Sequence, residues 1–280
     1  MTTTAPARQS PPPRTTNTTK PAPARTLAPA KPQAICPKIV FAAVEGFGKT
    51  SYVANAPSSV IIQCKEQGYD ALLSAGRVPQ IPAPQAQDWP DMMGWLDHII
   101  ENPGDTKVLG LDAIGGMERF CHEFVCKRDF GGDWGERGFA SYQKGYDVSV
   151  TEWLKMLAKL DQIHAKGISI VILSHVKIKT FKNPLGADYD RYVSDVHDKT
   201  WAATARWADA VFFGNFLTII DAEKKGKGKG VGGTDRYIHT ERRDAWDAKN
   251  RYGMPAEIQL ENDPSRTWAQ VWQAITGKDT

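Results

Sequence analysis

At 280 residues, 41% of them hydrophobic, the chain can build one sizeable core, or one domain with extensions. Its formal charge of +3 is uneven: residues 1–34 hold Arg8, Arg14, Lys20, Arg25 and Lys31 and no acid, so they carry +5 and the remainder about −2, which excludes a broadly basic body. No run approaches 18 apolar residues, the N-terminus has no apolar signal core, and four cysteines make no disulfide framework, so the expectation is a soluble protein of a reducing, cytoplasmic compartment with no membrane partner.

Residues 1–34 are Pro, Ala, Thr and basic residues, a composition that cannot bury a core and is expected to stay disordered. The stretch reads either as a solvated tail or as a tether for nucleic acid or a partner. Residues 35–280 then form the folded domain. An apolar, β-prone run from Ile39 to Ala42 stops at a loop with Gly46 and Gly48, and Lys49, Thr50 and Ser51 open a helix. This is the layout of a P-loop, whose backbone N–H groups cradle phosphates at a helix N-terminus. Ala43, Val44, Glu45, Gly46, Phe47, Gly48, Lys49, Thr50 and Ser51 are the candidate nucleotide-binding residues. Lys49 would reach the phosphates and the Thr50 hydroxyl would hold Mg²⁺. Ala43 replaces the first glycine of the pattern, at little cost if its φ stays negative.

Pro57 limits the helix after the loop. Val60 to Cys64 is a continuous apolar run, suiting a strand buried on both faces, and it delivers Lys65-Glu66 to the carboxyl edge of an open α/β sheet. Residues 76–90 are Pro-rich and read as a loop, and 91–101 as a helix with Met92, Met93, Trp95, Leu96 and Ile99 on its apolar face. Lys107 to Asp112 is an apolar strand ending in a carboxylate, the Walker B pattern, in which Asp112 organises Mg²⁺. Cys121-His122 with Cys126 lacks a second ligand pair at zinc-finger spacing, so free thiols are expected. Residues 128–138 read as a glycine-punctuated loop. Residues 139–166 read as a helix, with Val150, Trp153, Leu154, Leu157, Leu160 and Ile163 in register and Gly167 as its stop. Ile168 to Leu173 is another buried strand, carrying Ser174-His175 to the same edge. There His175 either senses a γ-phosphate or simply caps the strand end.

Residues 176–200 form a long polar stretch, expected to be a functional or mobile loop. Lys177, Lys179, Lys182 and Arg191 interleave with Phe181, Tyr189 and Tyr192, a mixture suited to single-stranded DNA or to a solvated lid. A helix at 201–209, a strand at 210–220, a basic turn at 224–233 and a returning strand at 236–240 make a terminal hairpin, and a last helix surrounds Trp268 to Ile275. Alternating strands and helices followed by a hairpin indicate a mostly parallel α/β sheet flanked by helices, with an antiparallel extension at its C-terminal end.

The order of elements resembles the RecA-like ATPase superfamily, and more closely the phage-encoded AAA-type nucleotide-binding proteins related to phage single-strand annealing ATPases. The resemblance covers roughly residues 36–260. It is carried by the P-loop, Gln63-Cys64-Lys65-Glu66, Leu109-Gly110-Leu111-Asp112, Leu173-Ser174-His175, the segments Pro184 to Tyr192 and Trp207-Ala208-Asp209, Thr240-Glu241-Arg242-Arg243, and Ala248 to Gly253. It implies a RecA-like P-loop NTPase fold and a Mg²⁺-dependent ATPase acting on single-stranded DNA in phage recombination or replication, in a bacterial host's cytoplasm. It also implies ATP and Mg²⁺ as cofactors, self-assembly as a ring or filament, and a phage single-strand DNA-binding protein as a partner. By resemblance, Glu66 polarises the attacking water and His175 couples the γ-phosphate to the loop that follows it. Lys249-Asn250-Arg251-Tyr252-Gly253 resembles a segment of RadA-type proteins in which two cations reach a neighbouring subunit's nucleotide, so Lys249 and Arg251 are expected to act in trans. At i and i+2 of an extended segment, the two point the same way. Lys65 stands where such relatives often carry an acid. Two rival readings are a nucleotide-switch assembly or loader protein with weak ATPase activity and no direct DNA role, and a small-molecule kinase.

Overall fold

The first strand, β1 (Lys38–Ala43), is buried on both faces from Ile39 to Ala43 and so serves two cores: Ile39 and Phe41 face one layer of helices while Val40 faces the other. The computed structural model describes residues 29–31, 34–220 and 230–277. The tail expected at 1–34 therefore lies almost wholly outside the described residues, as does most of the basic turn at 224–233.

From β1 the chain runs through helix α1 (Lys49–Ala54), β2 (Ser59–Cys64), α2 (Gly68–Ser74), the two-residue β3 (Gln85–Ala86), α3 (Trp89–Glu101), β4 (Val108–Asp112), α4 (Ile114–Asp129), α5 (Lys144–His164) and β5 (Ser169–Ser174). Then follow β6 (Val176–Phe181), β7 (Tyr189–Ser194), α6 (Asp198–Trp207), β8 (Ala210–Ile220), β9 (Gly230–His239), β10 (Lys249–Asn250), β11 (Glu257–Leu260) and α7 (Thr267–Thr276). Among the described residues the main sheet has the order β11-β9-β8-β1-β5-β4-β2-β3, with β10 beside β8. The strands from β8 to β3 are parallel, β9 and β10 run antiparallel to β8, and β11 pairs antiparallel with β9. α3, α4 and α5 pack on one face of the sheet, and α1 and α7 on the other. This is the RecA-like P-loop arrangement expected above, with the β8–β9 hairpin as its antiparallel extension. In it β5 separates β1 from β4, so the loops after β1, β2, β4 and β5 open at one carboxyl edge.

Several expectations need correction. Asp88 accepts from Asp91 N–H as an N-cap, with Pro90 in the first turn, so α3 begins before the expected 91. Arg128 belongs to α4, not to a loop, and pairs with Glu152 at 2.8 Å across to α5. The helix expected from 139 is broken: Tyr142 and Gln143 have positive φ, and α5 starts at Lys144. Leu154, placed on its apolar face, is 50% exposed, while Met156 is fully buried. The largest change is at 176–200. Residues 176–194 are an antiparallel hairpin, β6–β7, not a loop. Asn183 and Asp188 close its turn, with Asn183 N–H donating to Asp188 Oδ1 at 3.1 Å. The four cysteines are free, as expected, and three are buried. Among the described residues no helix is long and apolar enough to cross a membrane.

Candidate nucleotide-binding site

The loop between β1 and α1 is held open by two glycines at positive φ, Gly46 (71°) and Gly48 (102°). α1 has no side-chain cap. Among the described residues, the N–H groups of Gly46, Gly48, Lys49, Thr50 and Ser51 donate to no acceptor in the chain. An uncapped helix start with a row of free donors is a surface for an anion. Ala43 is fully buried and keeps a negative φ, so the missing glycine strains nothing. Room for its methyl comes from Gly214 on β8, where a Cβ would fall 2.8 Å from that of Ala43.

Lys49 Nζ donates to Ala43 O at 2.9 Å and Val44 O at 3.2 Å, folding the side chain back over its own loop. Burial depresses its pKa, and Asp112, Glu66, Asp195 and Glu45 oppose that shift. Thr50 Oγ1 donates to Asp112 Oδ2 at 2.8 Å, bringing the two candidate Mg²⁺ ligands together from α1 and the end of β4. Asp112 is buried, which raises its pKa, and the Thr50 bond is the main opposing influence. A hydroxyl and a carboxylate side by side form an all-oxygen donor pair suited to a hard divalent cation. The residues fit Mg²⁺ with a phosphate chain: Thr50 and Asp112 would hold the ion, and Lys49 with the loop N–H groups would hold the phosphates.

Glu66 follows β2 and His175 follows β5, on either side of β4, and they meet with Glu66 Oε1 3.4 Å from His175 Nε2. Both line a cleft of about 390 Å³ together with Gly46, Lys49, Thr50 and Asp112. Lys65, where an acid was the pattern, turns away at positive φ and pairs with Glu123 of α4 at 3.1 Å. The cleft also has a wall that sequence reasoning missed: Leu72, Arg77, and the turn Asp263-Pro264-Ser265. Asp263 N-caps that turn by accepting from Ser265 N–H at 2.9 Å. Its Asp-Pro-Ser signature was legible as a helix start, but nothing local in it indicates a place beside the P-loop.

The other candidates lie elsewhere. Lys177 Nζ donates to Asp195 O at 3.1 Å, Lys179 pairs with Asp198 at 2.8 Å and Lys182 with Asp188 at 2.6 Å, all at exposed positions of the hairpin. Arg191, grouped with them above, is instead only 7% exposed, paired with Asp247 at 2.6 Å and 5.5 Å from the Phe181 ring. It anchors the hairpin and is not on its open face. Lys249 and Arg251 are not brought to this chain's own cleft. β10 pairs with Ala210 and Val211, at the amino end of β8, whereas the P-loop leaves the carboxyl end of β1 beside Gly214. Lys249 Nζ donates to the carbonyls of Ala205, Arg206 and Ala208 at the end of α6. Arg251, 56% exposed, pairs with Asp209 at 3.1 Å.

A family model described as an AAA domain matches residues 36–252. No curated protein matches the chain. Among solved structures, the crystal structure of the flagellar accessory protein FlaH from Methanocaldococcus jannaschii is similar at 11% identity and a TM-score of 0.39, covering 80% of this chain and 84% of that one.

Proposed function

Since the chain belongs to the AAA-domain family, we propose that it is a Mg²⁺-dependent ATPase that assembles through shared nucleotide sites and acts on single-stranded DNA in phage recombination or replication. The observation that carries the ATPase reading is the convergence of Lys49, the Thr50–Asp112 pair and the Glu66–His175 pair on one cleft. Bound Mg²⁺ would neutralise phosphate charge. Lys49 would exchange its bonds to the loop carbonyls for phosphate oxygens, and the loop N–H groups would take the rest of the negative charge. Glu66 is the carboxylate available to orient water and accept its proton. His175 opens directly into β6, so a shift of its ring at the cleft bears on the hairpin. Support for a role in trans is the distance of Lys249 and Arg251 from this chain's own P-loop. Phage context and a single-strand DNA-binding protein as partner rest on the sequence resemblance alone.

The DNA role is proposed for the hairpin's Lys177, Lys179 and Lys182. Lys179 and Lys182 are held weakly by surface carboxylates, since such pairs contribute about 0–1 kcal/mol, and phosphates would displace those partners. One observation favours the switch or loader reading: each of these lysines already has an acceptor in its own chain. ATP turnover with and without single-stranded DNA at two salt concentrations decides between the two. The proposal expects stimulation that weakens as salt rises and is absent in Lys49→Ala. Slow turnover indifferent to DNA at both salts would leave the switch.

A further inference from the structure

We infer that Arg236 is a positioning residue that holds the phosphate loop in its nucleotide-ready shape, an inference resting on the ATP-binding reading above. Arg236 lies on β9, in the antiparallel extension, and is 4% exposed. Its two terminal nitrogens are engaged by protein oxygens and not aimed into the cleft lined by Lys49 and Thr50. Its Nη1 donates to Phe47 O at 3.1 Å and to Thr267 Oγ1 at 3.4 Å, and its Nη2 donates to Glu261 O. The guanidinium carbon stands 5.7 Å from the centre of the Phe47 ring, within cation–π range. One planar group therefore ties the phosphate loop to the residue after β11 and to the first residue of α7.

The bond to Phe47 O matters because a peptide unit is rigid. In a trans peptide the C=O and the following N–H point in opposite directions, and the Phe47–Gly48 peptide is not among those in the cis form. Fixing the Phe47 carbonyl on Arg236 thus fixes the Gly48 N–H the opposite way. Gly48 and Gly46 sit at positive φ, where glycine also has other conformations within easy reach. The rest of the packing leaves little slack. A Cβ at Gly48 would fall 3.3 Å from Arg236 Nη1 and 3.5 Å from Pro264 Cβ. The Phe47 ring is wedged edge-on against Phe41 and Phe216, 5.7 and 5.8 Å away. Burying a cation that has only neutral acceptors is costly, and an apolar side chain would fill the same space without that cost. What an apolar side chain lacks is the fork that orients a peptide. Lysine keeps the charge but not the fork.

The test is Arg236→Lys, read by steady-state kinetics and by hydrogen exchange of residues 44–51 without nucleotide. If losing the fork reduces the competent loop to about a tenth of molecules, apparent KM for ATP rises about 10-fold while kcat stays within about twofold, and exchange across 44–51 accelerates in nucleotide-free protein. A folded variant with wild-type KM and wild-type loop exchange overturns the proposal, as does a fall in kcat at unchanged KM. Should the variant not fold, the unaltered chain decides. Mg²⁺ with a non-hydrolysable ATP analogue is expected to slow exchange at both 44–51 and 261–267, and protection confined to 44–51 overturns the coupling. A wild-type chain that binds no ATP sinks the ATPase reading instead, and the nucleotide-free exchange difference between wild type and Arg236→Lys still judges the brace.

Discussion

Glu66 is the second residue after β2, and its carboxylate lies 3.4 Å from the His175 ring. Removing its charge while keeping its shape separates binding from chemistry. Glu66→Gln is expected to bind ATP as well as wild type and to lower turnover by about 10²- to 10⁴-fold, the usual span for losing a general base. Filter retention of labelled ATP alongside phosphate release measures both, and undiminished release would remove Glu66 from its assigned role. Single residues were the most legible part of the site. Asp112 ends β4, Glu66 and His175 stand just past β2 and β5, and Lys49 and Thr50 open the helix after β1, and strand ends are visible as the places where apolar runs stop. The compensations were not legible. Ala43 fits because Gly214 gives it room, and Arg236 reaches Phe47 across 189 positions of sequence; neither pairing leaves a local pattern.

Among elements, α6 and β10 separate two cations that looked equivalent in sequence. Lys249 donates to three carbonyls at the end of α6, satisfying acceptors that the helix itself leaves unpaired. Lys249→Met is therefore expected to cost about 1.5–3 kcal/mol of stability, the range for bonds to a charged group. Arg251→Ala loses only an exposed pair, worth about 0–1 kcal/mol, yet is expected to lower hydrolysis without weakening ATP binding. Chemical denaturation and ATPase assays on the two variants check this, and equal stability losses would refute the division of labour. The hairpin β6–β7 shows why an element was misread. Val176-Lys177-Ile178-Lys179-Thr180-Phe181 does alternate, but its outward lysines and exposed Ile178 give no buried face to recognise. The start of α4 was hidden for another reason. Gly115 and Gly116 weaken a helix signal, yet a Cβ at Gly116 would fall 1.8 Å from Cys64 O, so the sheet edge requires glycine there.

Across the whole molecule, composition and element order sufficed for a parallel α/β fold, because continuous apolar runs and their spacing survive in sequence. Strand order did not follow from them: the placing of β5 between β1 and β4, and of β11 outside β9, is settled by long-range pairing alone. The proposal of shared sites is also a whole-molecule one. Lys49→Ala subunits keep the basic pair, and Arg251→Ala subunits keep an intact P-loop. Each variant alone is expected to be nearly inactive, and a mixture is expected to regain a substantial part of wild-type hydrolysis. Activity in the mixture no greater than the average of the two alone would rule out completion by a neighbour.

The placement of β10 at the amino end of β8, opposite the P-loop, has a further consequence. A subunit that offers its cations from one end and its nucleotide from the other has a direction. In the proposed assembly, contacts built on it join the cation end of one subunit to the nucleotide end of another; a two-fold pair meets that condition only when its subunits lie side by side and antiparallel, and a head-to-tail arrangement meets it by adding subunits in a row. In an open row the final subunit always lacks its donor, and the number of working sites is one fewer than the number of subunits. Closing the row into a circle removes that deficit. Hydrolysis per subunit in an open row would therefore rise with its length, whereas in a circle it would not depend on position, because each member is equivalent.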